Sequence, residues 1–296
     1  MFPWLTGASN TLGAASVAAM EQHLAAPWRS VLADAGLRHQ NAIAQVLVTG
    51  SNLAAWSCLE PVLPAPPAAV AGYSVGELAA CACAGALSVD EAIALAAQRA
   101  ACMDHSAQQE RLRSGQGAGL LSVSGIAEGA LRAVCPALDC AIRIGPDHAI
   151  WGGSDAELLA ASHALSGRGA VCKRLDIGVA SHTPRMRGAA QEFSALLAAP
   201  AWRNPDFPVV LNASAALGRH ATRLREALAQ QIDHTIDWTA CMDALAERGL
   251  HCVLEIGAGN PLSAIWNRRH SGIPARALTD FQGPAGAAEW LRSMQA

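Results

Sequence analysis

The chain contains a single lysine, Lys173, a single tyrosine, Tyr73, and no long run of basic residues among its 296 positions. Its 21 basic and 24 acidic side chains give a formal net charge of -3, which does not favour binding to nucleic acid. Proline, glycine, serine and asparagine interrupt every apolar stretch before it reaches the roughly 20 residues of a membrane span. Because the N-terminus also lacks the pattern of a signal peptide, we expect a cytoplasmic protein with no membrane or nucleic-acid partner.

The nine cysteines are scattered, without a Cys-x-x-Cys pair or a neighbouring cluster of histidines. This spacing is not typical of a zinc site, and an odd number of cysteines does not indicate a disulfide framework. The sequence therefore predicts reduced thiols that pack in the interior, with no metal and no other cofactor.

The segment that indicates chemistry is Val70–Glu77, where apolar residues lead into Gly-x-Ser-x-Gly and small residues follow. This order predicts a strand, a tight turn and a helix, the arrangement called a nucleophile elbow. Ser74 then projects from the turn beside a helix N-terminus that favours negative charge. Ser74 is the candidate nucleophile, and the backbone N–H of Val75 is the candidate donor to an oxyanion. A glycine-rich turn without chemistry is the alternative that the motif alone leaves open.

Residues 11–60 have the apolar spacing of helices, and a proline-rich break follows at 61–67. Ser88 and Glu91 form a capping box that opens a helix running to about His105. The later helices and strands are expected at Pro184–Leu197, Ala221–Gln231 and Thr239–Glu247, and at Pro208–Leu211 and Cys252–Ile256.

A different pattern, strand-helix-strand-strand-helix-strand, begins after the glycine-rich stretch 114–119. Its elements are expected at Gly119–Val123, Ala127–Val134, Cys140–Ile144, Ala149–Trp151, Asp155–Ser166 and Ala170–Ile177. This βαββαβ order is that of a small ferredoxin-like subdomain, which we place at 117–179. The predicted fold is α/β: a large α/β-hydrolase-like domain with a parallel sheet, formed by 1–116 and 180–296, carries the subdomain as an insertion.

Three further segments follow the elbow in order: Arg99 to Met103, Ser181-His182 to Met186, and Glu255-Ile256-Gly257-Ala258-Gly259. Together with Gly72–Glu77 they resemble the malonyl-CoA:acyl-carrier-protein acyltransferase family over nearly the whole chain. The family has Gly-His-Ser-x-Gly-Glu, then Arg-Gly-x-x-Met, then Ser-His or Phe-His before a Met, and then Glu-x-Gly-Pro-Gly. Four matches in order are more specific than any one of them.

The resemblance implies acyl transfer by a ping-pong reaction on a Ser-His pair. Ser74 attacks the thioester of malonyl-CoA, His182 takes its proton, and the acyl-serine is resolved by the phosphopantetheine thiol of an acyl carrier protein. In the family a backbone carbonyl orients the histidine, and Gln231 occupies that position. Arg99 would bind the malonyl carboxylate through two parallel hydrogen bonds.

The remaining site residues also follow from the resemblance. Val75, Tyr73 and Met103 are expected around the acyl group. CoA phosphates and acidic carrier proteins call for a basic cleft edge, for which the candidates are Lys173, Arg174 and Arg185; a solvated charged face is the alternative. Glu77 is given no role beyond that of an acid in the first turn of a helix.

The chain departs from the family pattern at three places. Phe2-Pro3 is followed by Trp4-Leu5-Thr6-Gly7 in place of Gly-Gln-Gly, so either a backbone N–H near Leu5 to Gly7 is the second oxyanion donor or acylation is slower, by about 10- to 1000-fold. Tyr73 replaces the usual histidine before the nucleophile, and Ile144-Gly145-Pro146 replaces the usual Asn-Ser-Pro turn. The choice between malonyl and methylmalonyl groups is therefore open.

Other functions fit part of the pattern. The chain could be the malonyl-loading subunit of malonate decarboxylase, a methylmalonyl-selective acyltransferase acting in trans, or an editing hydrolase on the same fold. An α/β-hydrolase would use Asp233 or Asp237 with His251 or His270, but Arg99 and the βαββαβ insertion speak against it. A silent scaffold subunit is the alternative outside enzymology.

Overall fold

The structure, a computed structural model, describes residues 11–295. Its helices are α1 (Thr11–Leu24), α2 (Trp28–Ala33), α3 (Ala35–Arg38), α4 (Asn41–Leu59), α5 (Gly76–Cys83), α6 (Val89–Ser114), α7 (Glu128–Val134), α8 (Asp155–Ser166), α9 (Arg187–Leu196), α10 (Ala221–Gln230), α11 (Trp238–Ala246), α12 (Pro261–Arg269) and α13 (Pro284–Ser293). Its strands are β1 (Val70–Ala71), β2 (Ala118–Ser124), β3 (Asp139–Gly145), β4 (His148–Ser154), β5 (Val171–Arg174), β6 (Val209–Val210), β7 (Leu217–Gly218), β8 (Ile236–Asp237), β9 (Val253–Glu255) and β10 (Ala275–Ala277). Short 3₁₀ helices lie at Glu60–Val62, Pro184–Met186 and Leu278–Asp280.

The fold is α/β with mixed sheets: within residues 11–295 the three-stranded and the five-stranded sheet each combine parallel and antiparallel pairs, where a parallel sheet was expected. β1 pairs in parallel with β6, whereas β6 pairs with β7 in the antiparallel sense. The antiparallel pair arises because a short hairpin joins β6 to β7, closed by a hydrogen bond from the Leu211 N–H to the Ala216 carbonyl at 2.9 Å. β9 and β10 form a separate parallel pair.

Helices pack around the β1–β6 pair, in which β6 is buried and β1 is half-buried. The largest apolar cluster joins α1, α4, α5, α6, α9 and α10 to this pair, with Leu53, Leu78, Ile93, Phe193 and Val209 at most 1% exposed. By length and composition, α4 and the turn after it (Asn41–Val62) would be apolar enough to cross a membrane. However, 67% of the apolar 18-residue window in this segment is buried inside the protein. The apolar surface of α4 is thus used to build the core.

Residues 118–174 contain the expected strand-helix-strand-strand-helix-strand order, and their four strands form one antiparallel sheet in the order β5-β2-β4-β3. Successive side chains of a strand point to opposite faces. Leu121 and Val123 accordingly pack under α7 and α8, whereas Leu120 faces a second cluster with Trp238 and Trp266. The sheet is therefore buried on both faces.

The sheet also extends into the C-terminal half of the chain. β8 pairs in parallel with β3, through Ile142 with Ile236 and Arg143 with Asp237. This strand lies outside the expected subdomain at 117–179 and joins its sheet to α11. The C-terminal half of the chain therefore supplies the edge strand of this sheet, directly before α11 begins.

Several elements differ from the expectation in length. The Ser88–Glu91 capping box is present, but α6 continues past His105 to Ser114, since its last two turns are exposed residues with high helix propensity, and ends at Gly115 with a φ of 73°. β5 ends at Arg174, three residues before the predicted end. α12, α13, β7, β8 and β10 were not predicted from the sequence.

Candidate active site

Ser74 lies in a tight turn between β1 and α5 and has a left-handed backbone, with a φ of 54°. A residue other than glycine is strained by about 1 to 3 kcal/mol in such a conformation, so neighbouring contacts must hold it. Gly72 makes the turn possible, because a Cβ atom there would lie 2.0 Å from the Gly76 carbonyl oxygen. A Cβ atom at Gly76 would meet nothing within 4 Å, so only the first glycine of the motif is sterically required.

His182 contacts the serine directly. The Ser74 Oγ and His182 Nε2 atoms are 2.8 Å apart, and the His182 Nδ1 atom is 2.5 Å from the main-chain oxygen of Gln231. A carbonyl oxygen only accepts, so Nδ1 carries the hydrogen and Nε2 of the neutral ring is free to accept the Ser74 proton. The His182 backbone is also left-handed, with a φ of 62°, and its N–H donates to the Ile232 carbonyl at 2.8 Å.

Burial keeps His182 neutral. The ring is 1% exposed, and desolvation, together with the nearby positive charge of Arg99, lowers its pKa to about 3. The hydrogen bond to Gln231 acts in the opposite direction but is the smaller effect. An imidazole that stays neutral throughout the physiological range can act as a general base toward Ser74.

Arg99 projects from α6 into the same space and is 1% exposed. Its Nη1 donates to the Gln45 side-chain oxygen at 2.7 Å, and its Nη2 donates to the Gln231 side-chain oxygen at 3.0 Å. Nη2 also lies 3.5 Å from the Ser74 Oγ. Desolvation lowers the Arg99 pKa to about 10, so the guanidinium remains charged at neutral pH beside the serine hydroxyl.

Glu77 and Asn212 complete the polar cluster beneath the turn. Asn212 accepts from the Ser74 N–H at 2.9 Å and donates to the Gly72 carbonyl at 2.8 Å, which ties both ends of the turn to the segment after β6. The Glu77 Oε2 atom accepts from the Asn212 N–H at 3.3 Å and from the Gln231 Nε2 at 2.9 Å. Burial raises the Glu77 pKa to about 8, against the lowering effects of these hydrogen bonds and Arg99.

Gln45, Glu77 and Asn212 are the site residues that the sequence did not indicate. Asn212 is 138 positions from Ser74 and Gln45 is 54 from Arg99, so no local pattern connects them. Glu77 did have a sequence signal, because it stands in the Gly-Glu pair after the serine. Its complete burial, at 0% exposure, was not predictable, because the sequence identified it only as an acid in the first turn of a helix.

The three residues predicted to surround the acyl group make different contacts. Tyr73 packs edge-to-face on Trp238 with ring centroids 5.1 Å apart, and burial raises its pKa well above the usual range. Met103 is buried, and its sulfur accepts from Gln45 at 3.5 Å. The Val75 N–H finds no hydrogen-bond acceptor among residues 11–295. The predicted donor near Leu5 to Gly7 lies outside the described residues.

The three predicted basic residues are placed differently from one another. Lys173 is exposed, and no ion pair of its side chain exists within the described part of the chain. Arg174 pairs with Asp155 at 2.5 Å. Arg185 pairs with Asp139 at 3.1 Å and with Glu157 at 2.9 Å, so it holds the segment after His182 against the antiparallel sheet. Among residues 11–295, no group of three or more His, Cys, Asp or Glu side chains is arranged to hold a metal ion.

Solved structures share the fold of this chain. A malonyl CoA-acyl carrier protein transacylase from Coxiella burnetii has a similar structure, with a TM-score of 0.86 at 21% identity over 96% of this chain and 90% of that one. A malonyl-transacylase solved in complex with a type II PKS acyl-carrier protein gives a TM-score of 0.85 at 23% identity, over 94% and 91% of the two chains.

The sequence of the chain shows the family to which it belongs. Residues 9–268 match the family described as the acyl transferase domain, and the chain belongs to this family of acyltransferases. It is 28% identical over 233 residues to the malonyl CoA-acyl carrier protein transacylase of Escherichia coli strain K12, covering 75% of this chain and 72% of that protein.

Proposed function

We propose that the protein transfers a malonyl group from malonyl-CoA to the phosphopantetheine thiol of an acyl carrier protein. The observation that carries this proposal is Arg99, a buried and charged guanidinium 3.5 Å from the Ser74 hydroxyl. A buried cation there matches an acyl group that ends in a carboxylate, because a charged partner offsets the cost of burying both groups.

The first half-reaction acylates Ser74. His182 Nε2 takes the hydroxyl proton as the Ser74 oxygen attacks the thioester carbonyl, and the negative charge passes to the carbonyl oxygen. The Val75 N–H at the start of α5, which has no acceptor among residues 11–295, is suited to stabilise this oxyanion. When the intermediate collapses, the C–S bond breaks and His182 returns the proton to the departing CoA sulfur.

The second half-reaction transfers the acyl group. His182 takes the proton of the phosphopantetheine thiol, the sulfur attacks the acyl-serine, and the proton returns to the Ser74 oxygen as the C–O bond breaks. The Gln231 carbonyl holds the imidazole in the required tautomer through both halves. The CoA thiolate is a good leaving group, so a neutral carbonyl is sufficient in the place of a carboxylate.

We interpret the turn at Ser74 as a nucleophile elbow and the antiparallel unit as a ferredoxin-like subdomain at 117–179, inserted between 1–116 and 180–296. Its strand order, β5-β2-β4-β3, supports this interpretation. Exposed Lys173 and the Arg174 beside it remain our candidates for the carrier or CoA contact, and the nine cysteines, none of which is in a disulfide within the described residues, support a cytoplasmic location.

The proposal is tested by acylation with radiolabelled malonyl-CoA and acetyl-CoA, using the wild type beside Ser74→Ala and Arg99→Ala. We expect malonyl label on Ser74 that chases to a holo carrier protein, none in Ser74→Ala, and a selective loss of malonyl labelling in Arg99→Ala. Arg248→Ala, which removes an exposed arginine, is the matched control and should label like the wild type.

Three results contradict the proposal. Label retained in Ser74→Ala would exclude the acyl-serine, and label that turns over equally fast without carrier would make the protein a thioester hydrolase. Equal labelling by malonyl-CoA and acetyl-CoA in the wild type would remove the role given to Arg99.

A further inference from the structure

Two neutral amides hold the Arg99 guanidinium, and each presents its oxygen. The Gln45 Nε2 donates to the Asn41 side-chain oxygen at 2.7 Å and to the Met103 sulfur at 3.5 Å, which leaves its oxygen facing Arg99. The Gln231 Nε2 donates to Glu77 at 2.9 Å and to the Ser74 carbonyl at 3.2 Å, with the same result. Since amides carry no net charge, Arg99 is held in place without being neutralised by a direct ion pair.

The orientation of the Gln231 amide depends on Glu77. An amide group has an oxygen that accepts and a nitrogen that donates, and rotation by 180° exchanges them. The Glu77 carboxyl accepts the Gln231 N–H, so the oxygen must turn toward the Arg99 Nη2. Without an acceptor at Glu77, the Ser74 carbonyl at 3.2 Å is the one acceptor left to the Gln231 Nε2 among residues 11–295. An amide that rotates away from it presents its nitrogen to the guanidinium as donor against donor.

The protonation of Glu77 leaves this arrangement intact. Oε2 accepts both hydrogen bonds, while the buried Oε1 has no hydrogen-bond partner among residues 11–295. A proton taken up on Oε1 therefore leaves Oε2 as an acceptor. The charged or titratable groups facing this carboxyl are Arg99 from α6, Cys81 from α5 and Cys241 from α11.

We propose that Glu77 is a positioning residue for acyl-group selection: it fixes the Gln231 amide, and through it holds the Arg99 guanidinium where an acyl carboxylate binds. This inference rests on the proposed function. It predicts that loss of the acceptor at Glu77 weakens the reaction of carboxylate-bearing acyl groups more than that of uncharged acyl groups.

The test compares Glu77→Leu, which removes the acceptor, with Glu77→Gln, which can keep an oxygen at the Oε2 position. Steady-state kcat and KM are measured with malonyl-CoA and acetyl-CoA. For Glu77→Leu we expect the malonyl KM to rise and the malonyl-to-acetyl ratio of kcat/KM to fall by about 10-fold or more. For Glu77→Gln the ratio should stay within about 3-fold of the wild type.

Glu255 offers a matched control, because it is another buried glutamate, 8% exposed, whose oxygens accept the backbone N–H groups of Leu262 and Ser263. Glu255→Leu should lower thermal stability without changing the malonyl-to-acetyl ratio. If Glu77→Leu does not fold, Gln231→Met provides the same test. It removes the side-chain amide, keeps the main-chain carbonyl that accepts from His182, and should lower the ratio to the same extent.

The proposal is overturned if Glu77→Leu or Gln231→Met lowers both acyl activities equally, or if Glu77→Gln loses selectivity as fully as Glu77→Leu. Failure of the underlying function has a different signature. In that case the wild type itself shows no malonyl preference, or Arg99→Ala leaves the ratio unchanged, and both proposals fall together.

Discussion

At the scale of single residues, His182 forms a hydrogen bond of ordinary length to Ser74 while its ring is almost completely buried. A histidine with the usual pKa near 6.5 would be about 10% neutral at pH 5.5 and would lose about 10-fold in activity there. The buried His182, with its pKa lowered to about 3, stays neutral. We expect kcat/KM for malonyl-CoA to remain within about 2-fold from pH 7 to pH 5.5, measured in initial-rate assays. A 10-fold fall centred near pH 6.5 would contradict the neutral-imidazole account.

Gly72 and Gly76, the two glycines of the Ser74 turn, differ in the space available for a side chain. A methyl group at Gly72 would collide with backbone atoms of Gly76 and Glu77, whereas one at Gly76 meets open space. We expect Gly72→Ala to destabilise the fold by about 3 kcal/mol or more and to abolish acylation. Gly76→Ala should change the unfolding free energy by no more than about 1 kcal/mol. Thermal unfolding of both variants checks this, and equal effects would show that the turn is not sterically limited at Gly72.

At the scale of elements, Asn212 connects the end of β6 to the turn that holds Ser74. Asn212→Ala would leave the Ser74 N–H and the Gly72 carbonyl without their partner, at about 1 to 3 kcal/mol for each buried group. We expect an unfolding free energy lower by about 2 to 4 kcal/mol and slower acylation of Ser74. Asn204→Ala removes an exposed bond to the Ala221 N–H and should cost under about 1 kcal/mol. Similar losses in both variants, from denaturant titrations, would contradict the role of Asn212.

Elements were predictable from sequence where the signal was local. The capping boxes at Ser88–Glu91 and Ser154–Glu157 mark the starts of α6 and α8, and α8 spans the predicted residues. Two-residue strands such as β7 and β8 carry too few side chains for a period to emerge, and their pairing is decided by distant partners. The serine and histidine belong to motifs, but Gln45 and Asn212 become part of the site only through folding.

At the scale of the whole molecule, the antiparallel unit and the helical body are joined close to His182. β8 extends the antiparallel sheet, and Arg185 pairs with Asp139 of β3 and Glu157 of α8. Gly152 of β4 also lies close to Thr183, because an added Cβ atom there would approach the Thr183 methyl to 2.6 Å. The loop that carries His182 is therefore set by packing from both parts. The geometry of the serine-histidine pair is a property of the whole fold and cannot be read from either motif.

Stability of the whole molecule should depend on pH through two buried site residues with opposite signs. Glu77 has a pKa of about 8 in the folded protein against a usual 4.5, so the folded state binds the extra proton and stability falls as pH rises from 4.5 to 8. His182 has a pKa of about 3 against a usual 6.5, so the unfolded state binds the extra proton and stability falls as pH drops from 6.5 to 3.

Between pH 4.5 and 6.5 the two slopes oppose each other, and above 6.5 only the Glu77 slope remains. We therefore expect a plateau in the melting temperature up to about pH 6.5 and a decline of several degrees by pH 8. Glu77→Gln has no carboxyl to titrate, so its melting temperature should be nearly constant over pH 6.5 to 8. Differential scanning calorimetry of the two proteins across this range decides the point. A decline of equal size in the variant would assign the alkaline slope to groups other than Glu77 and would mean that this carboxyl is already ionised in the folded core.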